Sequence, residues 1–180
     1  MADVSGWLYD SLAERIQDTS GDAVLSELNR KSLSFGARAV ATAAVVAYYR
    51  GEGVLHYAYA GHPPAFVHRV EGGGWQPVEL SGSDATLANL PLAVLEDVRY
   101  DQGTVPLGPG DRVLLYTDGL IEARDHTGSF FGRDGLGRAL AGLEGGTTNE
   151  VVHGVLGAAE AHAGGELVDD DVTLVVFEVQ

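Results

Sequence analysis

The chain has 180 residues, 45% of them apolar and 8% aromatic, which is enough for one domain with a buried core and argues against intrinsic disorder. No apolar run approaches the ~20 residues of a membrane-spanning helix, and the absence of cysteine excludes disulfides, thiolate metal ligands and a cysteine nucleophile. A net charge of −15 repels phosphate backbones and anionic lipids, so neither nucleic acid nor a membrane is an expected partner. The start, Met1-Ala2-Asp3-Val4-Ser5, has no basic or apolar export signal and points to a cytoplasmic address. A phosphorylated substrate is still compatible with this charge where bound divalent cations reverse the local field.

Leu8, Leu12 and Ile16 lie on one stripe and predict a first amphipathic helix. A second follows Gly21, with Leu25 and Leu28 on its apolar face and a break at Ser34-Phe35-Gly36. Ala39 to Tyr49 is apolar on both faces, as in a strand covered on both sides, and Val54 to Ala60 pairs with it as a hairpin across Arg50-Gly51-Glu52-Gly53. All six prolines fall between Pro63 and Pro109, which reserves the middle of the chain for strands and loops. There, Ala65 to Val70 and Gln76 to Leu80 flank Gly72-Gly73-Gly74. A looser segment from Ser81 to Leu95 then precedes a strand at Val98 to Val105. Two further strands are expected at Arg112 to Tyr116 and Val172 to Val179.

Between those last two strands lie two helices. Leu136, Leu140 and Leu143 mark one; the other opens at Thr147, with Glu150 at capping-box spacing, and buries Val151, Val152, Val155, Leu156 and Ala159. Strands in the middle and helices at both ends do not alternate as βαβα. The expected class is therefore α+β, a β-sandwich of two antiparallel sheets flanked by helices, in a single domain over 1–180.

Two acidic turns carry the chemistry. Asp118 ends the strand Val113 to Thr117, and Asp169-Asp170-Asp171 begins the strand Val172 to Val179. If these strands are antiparallel neighbours, the carboxylates meet at one sheet edge. Clustered carboxylates repel unless a cation lies between them, and hard oxygen donors suit magnesium, manganese or calcium. Acidic turns that are merely solvated, or that guard a sheet edge, give the same pattern.

The phrases Leu115-Tyr116-Thr117-Asp118-Gly119-Leu120-Ile121-Glu122-Ala123-Arg124, Gly128-Ser129-Phe130-Phe131-Gly132 and Asp169-Asp170-Asp171-Val172-Thr173-Leu174 resemble the closing motifs of a bacterial family. This is the sporulation-protein-E-like, sigma-factor-regulating serine phosphatase family of the metal-dependent type 2C superfamily. Tyr59-Ala60-Gly61-His62-Pro63-Pro64 resembles its central motif, and Ser26-Glu27-Leu28-Asn29 with Ala41-Thr42-Ala43 resembles the preceding helix and strand. The match runs from about Ser20 to the C-terminus, with four motifs in order. It implies two divalent cations, Mn2+ or Mg2+, and hydrolysis of phosphoserine or phosphothreonine on a regulatory protein, an anti-anti-sigma-type partner. Asp118 and Asp170 match the family's metal ligands and are the catalytic candidates. Asp171 and the Gly119 backbone are further metal candidates, whereas Asp169 is expected to be solvated.

The departure from the family is N-terminal. The family carries an early strand and an Asp-x-Ser-Gly-His-Gly-like turn; here Asp3-Val4-Ser5-Gly6 is followed by Trp7-Leu8, and no strand precedes it. Either Asp3 is a remnant of the bridging metal ligand, or residues 2–17 are one helix of an N-terminally shortened chain. The stripe Trp7, Leu8, Leu12, Ile16 favours the second. A sheet edge left open by a short start would be covered by a homodimer or a swapped strand.

Arg124 is a candidate for contacting a substrate phosphate or a nearby carbonyl, and His62 for bonding a metal ligand or phosphate, although turn histidines usually serve the local backbone. Gly132-Arg133-Asp134-Gly135-Leu136-Gly137 fits no phosphate-loop spacing and reads as a helix entry. The expected function is a metal-dependent serine/threonine phosphoprotein phosphatase. A degenerate phosphatase fold used for partner binding is the alternative, and a calcium-stabilised acidic module is a third reading.

Overall fold

In the computed structural model, residues 20–80, 88–167 and 170–180 are described. The expected helix at residues 8–16, together with Asp3, Asp169 and the first half of the loop at Ser81, lies outside them.

The chain divides into two units. One comprises the residues up to 62 with 79–106; the other comprises 63–78 with 107–180. In the first, helix α1 (Gly21–Ser32) turns Val24, Leu25 and Leu28 inward and continues into a 3-10 stretch, Leu33–Ala39. Strands β1 (Ala43–Tyr49), β2 (Val54–Ala60) and β5 (Gln102–Pro106) form an antiparallel sheet in the order β1-β2-β5. Leu25, Leu28, Ala58, Ala60, Leu92, Val98 and Tyr100 make up its core.

Two expectations shift here. Ala39 ends the 3-10 stretch and Ala41 makes only an isolated bridge to Leu92, so the strand starts at Ala43; and β1 is an edge strand with all seven residues half-buried, not a strand covered on both sides. Five of its seven residues are alanine or valine, spread over both faces, which reads in sequence as full burial. The strand expected from Val98 starts at Gln102, because Asn89 engages the preceding segment. Its Oδ1 accepts from the Asp101 N–H at 2.8 Å, and its own N–H donates to the Arg99 carbonyl at 2.8 Å.

The second unit is built on β3 (Phe66–His68), β4 (Trp75–Pro77), β6 (Arg112–Tyr116) and β7 (Leu174–Glu178), antiparallel throughout in the order β4-β3-β6-β7. Helix α2 (Asp118–Ile121) is a single turn, followed by α3 (Gly132–Ala141) and α4 (Thr148–Ala163). Leu136 and Leu140 from α3, and Val151, Val155 and Ala159 from α4, pack with Phe66, Leu114, Tyr116 and Leu120. The capping box forms as expected: the Glu150 N–H donates to Thr147 Oγ1 at 3.3 Å, and the Thr147 N–H donates to Glu150 Oε2 at 2.7 Å. Buried Arg112 donates to the carbonyls of Glu144 and Gly146, pinning the loop between α3 and α4. Burial and this guanidinium hold His68 below the usual histidine range. Both sheets are antiparallel and carry helices, the α+β arrangement expected from the sequence. Among the described residues, no helix is long and apolar enough to cross a membrane.

Candidate metal and phosphate site

Strands β6 and β7 are antiparallel neighbours, with Tyr116 opposite Leu174. The ladder runs one step further: the Thr117 N–H donates to the Thr173 carbonyl at 3.1 Å, and the Thr173 N–H donates to Thr117 Oγ1 at 2.9 Å. The two acidic segments therefore leave the sheet at the same end. Asp118 opens α2, half-buried, and Asp170 and Asp171 are exposed at the approach to β7.

Gly119 is what lets them approach. A Cβ at this position would lie 2.6 Å from the Asp171 carbonyl oxygen and 3.3 Å from Asp170 Cβ, so no other residue fits without moving backbone. Thr117 Oγ1 donates to that same Asp171 carbonyl at 3.1 Å, and Asp170 Oδ1 accepts from the Asp171 N–H at 2.8 Å. A pocket of about 170 Å³ opens beside this junction, lined by Gly119, Ala123, Arg124, Ala163, Glu166 and Asp170. Glu166 was not signalled by any motif. It reaches the pocket because Gly164, at φ 75°, ends α4 in the left-handed conformation and turns the chain there.

Arg124 lies at the mouth of a small hairpin in which it bridges to Phe130. Its guanidinium sits 4.1 Å from the Phe130 ring centroid and makes only a long contact, 3.5 Å, to the Gly128 carbonyl, so its charge stays available at the pocket. The hairpin is closed by Asp125, whose Oδ1 accepts from Thr127 Oγ1, the Thr127 N–H and the Ser129 N–H. These bonds, that from the Thr127 hydroxyl foremost, hold the Asp125 carboxyl down at about 2. His162 of α4 bonds the Ser129 carbonyl at 2.9 Å and packs on Phe131, which fixes the hairpin to the helix.

The structure thus brings Asp118, Gly119, Arg124, Asp170 and Asp171 into one unit. His62 belongs to the other unit, where its ring stacks on Tyr59 beside Gly61. Gly61, at φ 65°, would place a Cβ 2.5 Å from Pro91 Cγ of the same unit, so only glycine fits there.

The donors at the junction are all oxygen, the chemistry that suits magnesium or manganese, and such ions keep several water ligands. Their kind fits a hard divalent cation. Among the described residues, however, no three histidine or carboxylate side chains converge on one point.

Comparison with known proteins bears on this arrangement. The family model described as Stage II sporulation protein E (SpoIIE) matches residues 3–180. Protein IcfG of Synechocystis sp. is 28% identical over 123 residues; the alignment takes in 68% of this chain but only 18% of IcfG, so the chain spans a small part of that relative. Among solved structures, the SiaA-PP2C domain of Pseudomonas aeruginosa superposes with a TM-score of 0.78 at 19% identity, covering 98% of this chain and 68% of that one. The Mn-presoaked phosphatase domain of the cell fate determinant SpoIIE from Bacillus subtilis gives a TM-score of 0.64 at 17% identity, covering 99% and 73%. At these identities the structures establish the fold, that of a PP2C-type phosphatase domain. With the family model matching nearly the whole length, the chain belongs to the Stage II sporulation protein E (SpoIIE) family.

Proposed function

We propose that this chain is a divalent-metal-dependent phosphatase acting on phosphoserine or phosphothreonine of a small regulatory protein of the anti-anti-sigma type, with residues 1–180 working as one domain. The observation that carries the reading is the meeting of Asp118-Gly119 with Asp170-Asp171 at the end of the β6–β7 ladder. The family model, which spans both units, supports the single domain. The resemblance to sigma-factor-regulating serine phosphatases supports the choice of partner.

In this mechanism Asp118 and Asp170 would hold Mn2+ or Mg2+, two ions if Asp3 or another segment completes the set, with Asp171 and the Gly119 backbone as further ligands. When bound, the ion supplies electrophilic stabilisation of the charge that builds on the phosphoryl oxygens. Arg124 binds a phosphoryl oxygen at the pocket mouth and orients the ester. Water oxygen bonds to phosphorus, the ester P–O bond breaks, the serine oxygen leaves with a proton, and phosphate is released.

A second reading, a degenerate phosphatase fold used for partner binding, is favoured by the absence of three converging ligands among the described residues. Hydrolysis of p-nitrophenyl phosphate with and without Mn2+ separates the two. The first reading expects metal-dependent turnover that Asp118→Asn and Asp170→Asn abolish while the thermal melt stays in place. Turnover unchanged in either variant overturns that assignment, and a folded but inert parent protein supports the second reading.

A further inference from the structure

One row of side chains across the second sheet holds a titratable group that phosphate chemistry at Asp118 and Asp170 does not use. Trp75, His68, Arg112 and Glu178 stand opposite one another on β4, β3, β6 and β7. His68 and Arg112 are buried, whereas Glu178 is exposed. The Arg112 guanidinium lies over the Trp75 ring, 5.6 Å from its centroid, and the His68 ring tilts on the same side chain at 5.3 Å.

The hydrogen bonds of Arg112 fix the state of His68. One terminal nitrogen of the guanidinium donates to the Gly146 carbonyl and the other to the Glu144 carbonyl. The second also meets His68 Nδ1 at 3.3 Å. A guanidinium has donors and no acceptor, so Nδ1 must supply the lone pair. The ring is therefore neutral, with its proton on Nε2. A protonated ring carries N–H on both nitrogens, so its Nδ1–H would face an Arg112 N–H and place two cations side by side in a buried site.

The charged groups around His68 are few. Arg112 on β6 opposes protonation of the ring, while Glu144 in the α3–α4 loop and Asp111 in the turn before β6 favour it. Asp111 is already engaged, accepting the Val70 and Gly108 N–H groups at 2.9 Å each. Burial first, then Arg112, prevail and keep the ring below the usual histidine range.

We propose that His68 and Arg112 form an acid-released latch on the α3–α4 loop. The neutral imidazole keeps the guanidinium aimed at the Glu144 and Gly146 carbonyls, and protonation of Nδ1 turns it away and frees the loop. A ring that titrates near 6.5 when exposed and lower when buried favours the open loop as the pH falls below about 6.5. The latch stands whether or not the chain hydrolyses phosphate.

The test is an NMR titration of the full chain from about pH 8 to about pH 4.5, across the histidine range, with the fold followed by circular dichroism. At neutral pH the His68 nitrogens are expected to show the Nε2–H tautomer. An Nδ1–H tautomer, or a ring already charged there, overturns the proposal. On acidification the carbonyl-carbon shifts of Glu144 and Gly146 are expected to move with the midpoint of the His68 ring, below about 6.5. His68→Asn puts a side-chain oxygen near the place of Nδ1, an acceptor that does not titrate, and leaves Asp111, Glu144 and Glu150 to titrate in both proteins. The two carbonyl shifts should stay flat in this variant over the range where the parent's move. Carbonyls that ignore the His68 midpoint, or that move equally in His68→Asn, overturn the latch, as does a parent chain that unfolds before the ring titrates. If His68→Asn fails to fold, the tautomer and the shared midpoint in the parent decide the matter.

Discussion

Thr117 donates its hydroxyl to the main-chain carbonyl of Asp171, 54 positions further along, and with the same oxygen accepts the N–H of Thr173. One side chain thereby ties both acidic segments together without supplying a ligand. Thr117→Val keeps the branched shape and removes both bonds. The loss of fold stability is expected to be modest, about 0.5–1.5 kcal/mol, since water reaches these groups. Metal affinity is expected to fall by about tenfold, as when a group that orients a ligand is lost. Calorimetric titration with Mn2+ beside a thermal melt reads the two effects separately; a large melt change with unaltered affinity would count against a positioning role.

Asn29 is the buried polar linchpin of the first unit, only 1% exposed. Its amide donates to the Leu95 carbonyl at 2.8 Å, and its Oδ1 accepts the Ala93 N–H at 2.8 Å. Asn29→Ala strands these groups and is expected to cost about 2–4 kcal/mol in denaturant unfolding. The same clasp holds Ala93 at φ 62°, a left-handed backbone. Releasing that strain is worth about 1–2 kcal/mol and glycine's added unfolded-state entropy about 0.5–1 kcal/mol, so Ala93→Gly should stabilise slightly. A fall in the melting temperature would show that the alanine methyl's packing outweighs the strain.

The Tyr116 hydroxyl is buried and has no hydrogen-bond partner among the described residues. Tyr116→Phe removes an unpaired polar group and should raise stability by about 1 kcal/mol in chemical denaturation. Burial also pushes the Tyr116 phenol up to about 12. With the folded value above the unfolded one near 10, its contribution is intact below about pH 10 and is lost as the pH rises through about 12. The phenylalanine variant should accordingly lose less stability than the parent over that alkaline range, apart from the similar effect of Tyr100.

Asp125 behaves in the opposite sense. Its carboxyl is held at about 2, below its unfolded value, so the hairpin's stabilisation is present above about pH 4 and is lost as the pH falls through about 2. Carboxyl-carbon NMR should show Asp125 still ionised at pH 3, and Asp125→Ala should loosen Arg124 at the pocket. A midpoint near 4 would contradict the bonded hairpin.

Much of this was legible because it is local. The stripe of Val151, Val155 and Ala159, the Thr147 and Glu150 box and the alternation across Arg112 to Tyr116 are written in neighbouring residues. The pairing of Asp118 with the segment at Asp170 could be inferred only through an assumed strand pairing, which the β6–β7 register then supplied. Glu166, Asn29 and Thr117 were not legible, since each acts through a contact far away in sequence. Strand limits at Ala43 and Gln102 were missed because a 3-10 stretch and an asparagine clasp compete with the ladder there.

The distance along the chain between Thr117 and Asp171 also has a kinetic meaning. A pocket joined across 54 positions closes only once β7 has docked on β6, so its formation waits on a non-local contact. Local detachment of β7 would dissolve the acidic junction while α3 and α4 stayed packed, and amide protons of Thr173 and the residues after it should exchange ahead of those in the helices.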